Sequence, residues 1–246
     1  MSLDEFLRFA RSTGYEGVEI RYGQLPLETP AARLAEIKKQ LGDLGLTWVF
    51  GTVEGIADEK MLDRARRTME NNLSCGCLFT RFTIKKPEHI QWAQRFADAA
   101  SQQGAKLIMQ MHCHTLPDNV PHALATLAQI NRPNVGLTYE ANHLVFDGDM
   151  NYAEAVLKLA PHIRAVSVQN FKSAPADSPD SFQIRSKTYV RAFPGDPEAV
   201  DFPSVFRSLK KIGFDGFVTV MTDAIPGFNS RELSKRWFEY LRPLIE

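Results

Sequence analysis

Seven short runs rich in β-favouring residues recur along the chain, and each is followed or preceded by a longer stretch whose apolar residues return at helical spacing. The runs are 16–21, 46–52, 78–84, 105–113, 135–139, 163–168 and 217–221. Helical stretches lie at 30–44, 59–73, 87–102, 120–130, 152–159, 202–212 and 231–241, after an opening helix with Leu3, Phe6, Leu7 and Ala10 on one face. Ser2 with Glu5 three residues on is a capping box for that helix, and Gly14 stops it. Such alternation, with every connection a crossover, predicts an α/β fold with a parallel sheet covered by helices. Closed into a (β/α) barrel, the chain lacks one strand of eight, and it is the one before the first helix, because Met1 leaves no room for it. An open doubly wound sheet satisfies the same alternation.

A length of 246 residues suits one barrel domain over 1–246. Segment 172–201 holds Pro175, Pro179, Pro194 and Pro197 among serines and aspartates and is expected to be an irregular loop on the functional rim. Lys plus Arg and Asp plus Glu are both 29, so nothing in the charge predicts a nucleic-acid partner. No stretch approaches the ~20 apolar residues of a membrane span. Three cysteines, with Cys75 and Cys77 too close for an ordinary bridge, fit a reducing, cytoplasmic setting. A Cys75-Gly76-Cys77 spacing without a second pair is a weak metal signal, and no role is assigned to it.

Three segments carry a resemblance: GYEGVEIR at 14–21, PNVGLTYEANHL at 133–144, and PGDPEAVDFPSVFRSLKKIGFDGFVTV near the end. They resemble the second strand, the sixth strand and the passage from the seventh to the eighth in the sugar-phosphate isomerase and epimerase family, whose members are xylose-isomerase-like TIM barrels. The resemblance implies a barrel whose first strand is absent. It also implies one divalent metal on a glutamate, an aspartate, a histidine and a second glutamate at the strand ends, holding two sugar oxygens while carboxylates move a proton on carbon. Carried onto this chain, those positions hold Gln110, Glu140, Ser167 and Met221, with His143 three residues after Glu140. Gln169 takes the third place if that strand shifts by two. One carboxylate is a poor set for Mg²⁺ or Mn²⁺.

Read as one strand, Gln110, His112 and His114 alternate onto one polar face, with Cys113 packing behind. His112, His114 and Glu140 then form a possible zinc set, and Glu140 with His112 are the ligands expected if any metal binds. Glu19 and Arg21 share a face of the first run and Arg81 and Thr83 a face of the third, lining a pocket or linking charges inside the barrel. The resemblance places a substrate-contacting arginine at Arg191.

Two functions are open on this sequence. In one, an isomerase or epimerase acts on a sugar, keto-acid or cyclitol, with Glu140 as general base, His112 and His143 moving protons, and Gln110, Ser167, Gln169, Glu19 and Arg191 binding substrate. In the other, the chain is a non-catalytic sugar-binding or assembly subunit that has lost the metal. An unpaired edge between the outermost strands would then favour a homo-oligomer.

Overall fold

The computed structural model describes residues 1–148, 150–222 and 225–246. Helix α1 (Leu3–Thr13) opens on the capping box: the Ser2 hydroxyl accepts from the Glu5 N–H, and the Glu5 carboxylate accepts from the Ser2 N–H at 2.8 Å. It ends at Gly14, whose φ of 107° is reached without strain only by glycine. The chain then alternates through β1 (Gly17–Ile20), α2 (Ala31–Leu44), β2 (Thr47–Thr52), α3 (Glu59–Ser74), β3 (Phe79–Phe82), α4 (Ile90–Gln102), β4 (Leu107–Gln110), α5 (Val120–Ile130) and β5 (Val135–Tyr139). A one-turn helix α6 (Ala141–Leu144) follows, then α7 (Tyr152–Leu159) and β6 (Ile163–Val168). Three short strands come next, β7 (Phe171–Ser173), β8 (Phe182–Ile184) and β9 (Lys187–Arg191), before α8 (Phe202–Lys211), β10 (Val218–Val220) and α9 (Ser230–Ile245).

Seven strands pair in parallel in the order β1-β2-β3-β4-β5-β6-β10, and they form the nearly closed barrel that the resemblance implies, not the open sheet that the alternation also allowed. Strands β1 and β10 come side by side as the two sheet edges, with no ladder between them among the described residues. A cavity of about 290 Å³ opens along that seam, lined by Glu19, Arg21, Thr219 and Met221.

Period-two alternation divides each strand between two environments. One set, including Leu107, Met109, Leu137, Tyr139, Val166 and Val168, packs outward against the helices in one continuous core. The other faces inward. Phe50, Ile108 and Ala165 are buried with Phe79 and Phe217 in a separate cluster drawn from strands around the sheet, an arrangement only the barrel interior provides. Gly17 makes room for it, since a Cβ there would lie 2.8 Å from Val49 and 2.9 Å from Phe217. Two residues further along the strands, the same inward face carries Glu19, Arg81, Gln110, Thr138, Ser167 and Thr219. The barrel is thus plugged by apolar side chains below and polar side chains above, at the ends where the strands finish.

Segment 172–201 is not the irregular loop expected from its prolines. Its strands form an antiparallel sheet in the order β7-β9-β8, turned by Arg185 and Ser186 at φ 51° and 63°. Buried Asn170 closes the excursion at its base by donating to the Phe193 carbonyl at 2.6 Å and accepting from the Val200 N–H at 3.1 Å. Phe171, Phe182 and Tyr189 of this sheet pack on Phe146, which follows α6, and so wall one side of the barrel mouth.

Candidate functional site

Strand β5 ends at Tyr139, and the chain turns at once into α6. That turn points Glu140 inward, fully buried, and puts His143 one helical turn later beside it. His143 Nε2 lies 3.1 Å from Glu140 Oε2, and Gln110 donates to the same oxygen at 3.4 Å. The other oxygen lies 3.6 Å from the Arg81 guanidinium, which also contacts Glu19 at 3.1 Å. Arg21 reaches Glu19 at 3.0 Å from the seam side and touches Met221. A line of alternating charge, Arg21, Glu19, Arg81 and Glu140, therefore runs from the seam into the barrel mouth. Of the two readings for Glu19 and Arg81, the structure shows the salt link, and Glu19 also lines the seam cavity.

Burial pushes the Glu140 pKa upward, but the contact with His143 and the positive charge of Arg81 outweigh it, so the carboxyl is held below its ordinary value. Glu140 is ionised at neutral pH. His112 is pushed down to about 3 by burial and by the neighbouring His143, so its ring is neutral. The His112 and His143 rings meet tilted at 46°, with centroids 3.9 Å apart.

Several buried polar atoms around this pair have no hydrogen-bond partner: both His143 ring nitrogens, Asn142 Oδ1, Thr138 Oγ1, Ser167 Oγ, Glu140 Oε1 and Arg81 Nη1. Buried polar groups are nearly always paired, so a concentration of orphans at the end of a barrel marks a place built to meet a polar ligand. Gln169, also buried, accepts from Asn142 at 3.1 Å.

The structure brings together Gln110, His112, Glu140 and His143 and places Ser167 and Gln169 on the inward face of β6 and its extension. It corrects the reading of 105–113 as one strand. The β4 ladder stops at Gln110, because Thr115 diverts the backbone: its hydroxyl donates to the His112 carbonyl at 2.7 Å and accepts from the His112 N–H at 3.2 Å. His112 and His114 therefore share no strand face, and His114 is exposed. Cys113 is not simply packing behind them. Its Sγ lies 3.7 Å from His112 Nδ1, and ligand atoms of His112, Cys113 and His143 all fall within 4.8 Å of one another, in place of the expected His112, His114 and Glu140. Arg191 stands at the exposed end of β9, its guanidinium 5.5 Å over the Phe182 ring. The sequence assigned no role to Asn142 or Thr138, although both lie in the 133–144 segment, because the resemblance carries only the Glu140 and His143 positions of that segment.

The sequence pattern described as xylose isomerase-like TIM barrel matches residues 7–244. The chain belongs to that family. Similar proteins include an inosose dehydratase of Geobacillus thermodenitrificans, 25% identical over 62% of this chain and 52% of that protein, so the chain spans about half of that relative. An inosose dehydratase of Mesomycoplasma hyopneumoniae is 20% identical over the whole chain and 89% of its own length. Among solved structures, the IOLI protein with a bound zinc atom superposes with a TM-score of 0.78 at 18% identity, covering all of this chain and 93% of that one. A family member from Mycobacterium smegmatis in complex with magnesium gives 0.76 at 17%, covering 99% and 89%. A probable 3-DHS dehydratase from Bacillus anthracis gives 0.76 at 16%, covering 98% and 94%.

A metal of the kind the family resemblance implies does not fit the four family positions here. Gln110, Ser167 and Met221 bring no negative charge, and the one carboxylate already lies beside the permanent cation of Arg81. A hard divalent ion would face one anionic ligand and one repelling guanidinium. Among the described residues no helix is long and apolar enough to cross a membrane.

Proposed function

We propose that the chain is an enzyme that moves a proton on carbon next to the carbonyl of a small polyhydroxylated substrate, a sugar, keto-acid or cyclitol. The observation that carries this reading is the buried Glu140 and His143 pair at a barrel-strand end, surrounded by polar atoms without partners. A general base works best with a pKa near the operating pH. Glu140, held low, is the weaker candidate for that task and the better one for orienting His143 and stabilising its protonated form. His143, held beside Glu140 and facing the unpartnered polar groups of the mouth, takes the proton from carbon and returns it.

Removal of the proton leaves an enolate whose fate sets the reaction class. Return to the opposite face epimerises, return to the neighbouring carbon isomerises, and departure of a β-hydroxyl with that proton dehydrates. The inosose dehydratase relatives favour a cyclitol ketone and the last outcome. Gln110, Asn142 and Ser167 offer hydrogen bonds to hydroxyl and carbonyl oxygens, and neutral His112 offers another. The aromatic wall of Phe146, Phe171, Phe182 and Tyr189 shields the intermediate from water. Glu19 and Arg81 fix the charge of Glu140 from behind, and Arg191 reaches substrate from the rim.

Turnover of inosose by wild type, His143→Asn and Glu140→Gln tests the assignment. Both variants should fall by roughly 100-fold or more with unchanged circular dichroism. Equal activity in all three proteins would remove the pair from the chemistry.

A further inference from the structure

The mouth of the barrel holds a second grouping, built around Cys113, which the proton-transfer reading leaves unused, and sharing His112 and His143 with that reading. Cys113 is buried and its Sγ approaches His112 Nδ1 at 3.7 Å. The ligand atoms of His112, Cys113 and His143 lie within 4.8 Å of one another. His143 is only 3% exposed; its Nε2 lies 3.1 Å from Glu140 Oε2, and its Nδ1 has no hydrogen-bond partner. None of the three occupies a position where the family resemblance puts a metal ligand. We propose that His112, Cys113 and His143 form a site for a thiophilic divalent cation, Zn²⁺ foremost, with one thiolate and two imidazoles as ligands and a fourth position left for an oxygen.

Ligand chemistry and distance both select zinc. A tetrahedral centre with Zn–S near ~2.3 Å and Zn–N near ~2.0 Å separates sulfur from nitrogen by about 3.5 Å, close to the 3.7 Å between Cys113 and His112. The wider separations close by rotation of the His143 and Cys113 side chains. Soft sulfur and borderline nitrogen donors favour Zn²⁺ over Mg²⁺ or Mn²⁺, which want oxygen. The neutral His112 ring has a lone pair at Nδ1, now accepting the His114 N–H at a long 3.2 Å, and a metal replaces that weak bond. The Cys113 thiol loses its proton to solvent as the metal–sulfur bond forms, leaving two positive charges balanced by one thiolate. Ionised Glu140, beside His143, orients that ligand, while its own charge is shared with Arg81. With the metal bound, His143 is a ligand and no longer free to take a proton, so the metal-loaded and proton-transferring forms are alternatives, and metal uptake is read without turnover.

The test uses the full chain freed of metal with a chelator, then titrated with Zn²⁺ and, separately, with Co²⁺. Wild type should take up one equivalent of Zn²⁺ that excess Mg²⁺ does not displace, and its Co²⁺ form should show the near-ultraviolet thiolate-to-cobalt absorption. Cys113→Ser should weaken zinc binding tenfold or more and abolish that absorption, whereas His114→Ala, at an exposed ring outside the set, should leave both intact. Zinc-edge X-ray absorption on wild type, which needs no variant to fold, should count one sulfur neighbour. Failure to hold one equivalent, a cobalt spectrum without thiolate absorption, an oxygen and nitrogen shell alone, or Cys113→Ser binding as tightly as wild type would each overturn the proposal.

Discussion

Arg81 is the residue on which the interior charges depend. It is 5% exposed and lies between two carboxylates, Glu19 at 3.1 Å and Glu140 at 3.6 Å, with its guanidinium 4.7 Å over the Phe50 ring. Buried ion pairs need not add stability relative to an apolar core, but removing one partner leaves an uncompensated charge. Arg81→Met should therefore destabilise the protein by roughly 3–5 kcal/mol in urea unfolding, and a loss under about 1 kcal/mol would show that these carboxylates are not held by it. Glu140 sets the pH dependence. Its pKa is lowered on folding, so the unfolded chain binds the proton more readily. The stability it contributes is full above the unfolded value near ~4.3 and declines as pH falls below that. Glu140→Gln should flatten the acid limb of a stability-against-pH curve, and an unchanged acid limb would contradict the lowered pKa.

At the scale of elements, the sheet of β7, β8 and β9 is tied to the barrel mouth through its turn. Arg185 and Ser186 both sit in the left-handed region, where a two-residue hairpin normally calls for asparagine or glycine. The strained turn is compensated by the Arg185 guanidinium, which pairs with Asp118 in the loop after β4 and with Asp147 after α6. Arg185→Ala keeps the strain and removes both pairs. Limited proteolysis within 172–201 should then accelerate several-fold while the barrel's melting temperature moves by only a few degrees, because exposed pairs contribute little to global stability. Cleavage at the wild-type rate would show that the turn is held by the aromatic wall alone. The same turn explains why this sheet was not legible beforehand: Arg-Ser carries no turn signature, and prolines on either side advertise irregular chain. Strand β4 was misread for a related reason. The alternation of Gln110, His112 and His114 continues past the point where the Thr115 hydroxyl takes over the backbone bonds, and periodicity cannot register that competition.

For the whole molecule, the alternation of runs and helical stretches indicated a parallel sheet covered by helices, because burial on both faces imposes patterns that a sequence displays, and the family resemblance chose the barrel over an open doubly wound sheet. The capping box at Ser2 and the position of Glu140 at a strand end were equally plain. What sequence could not supply was distance between residues remote in the chain: the approach of Arg81 to Glu140, of Arg21 to Met221, and of Cys113 to His143 depends on how seven strands stagger around the interior. In the proposed reading those approaches put a carboxylate and imidazole pair where the family resemblance implies a carboxylate metal site, with Glu140 orienting His143. The direct measurement of proton transfer on carbon is solvent exchange. Incubated with wild-type protein in deuterium oxide, inosose should incorporate deuterium next to its carbonyl, or in the product derived from it, faster than in buffer by several orders of magnitude, as followed by proton magnetic resonance. Exchange no faster than in buffer would contradict the account.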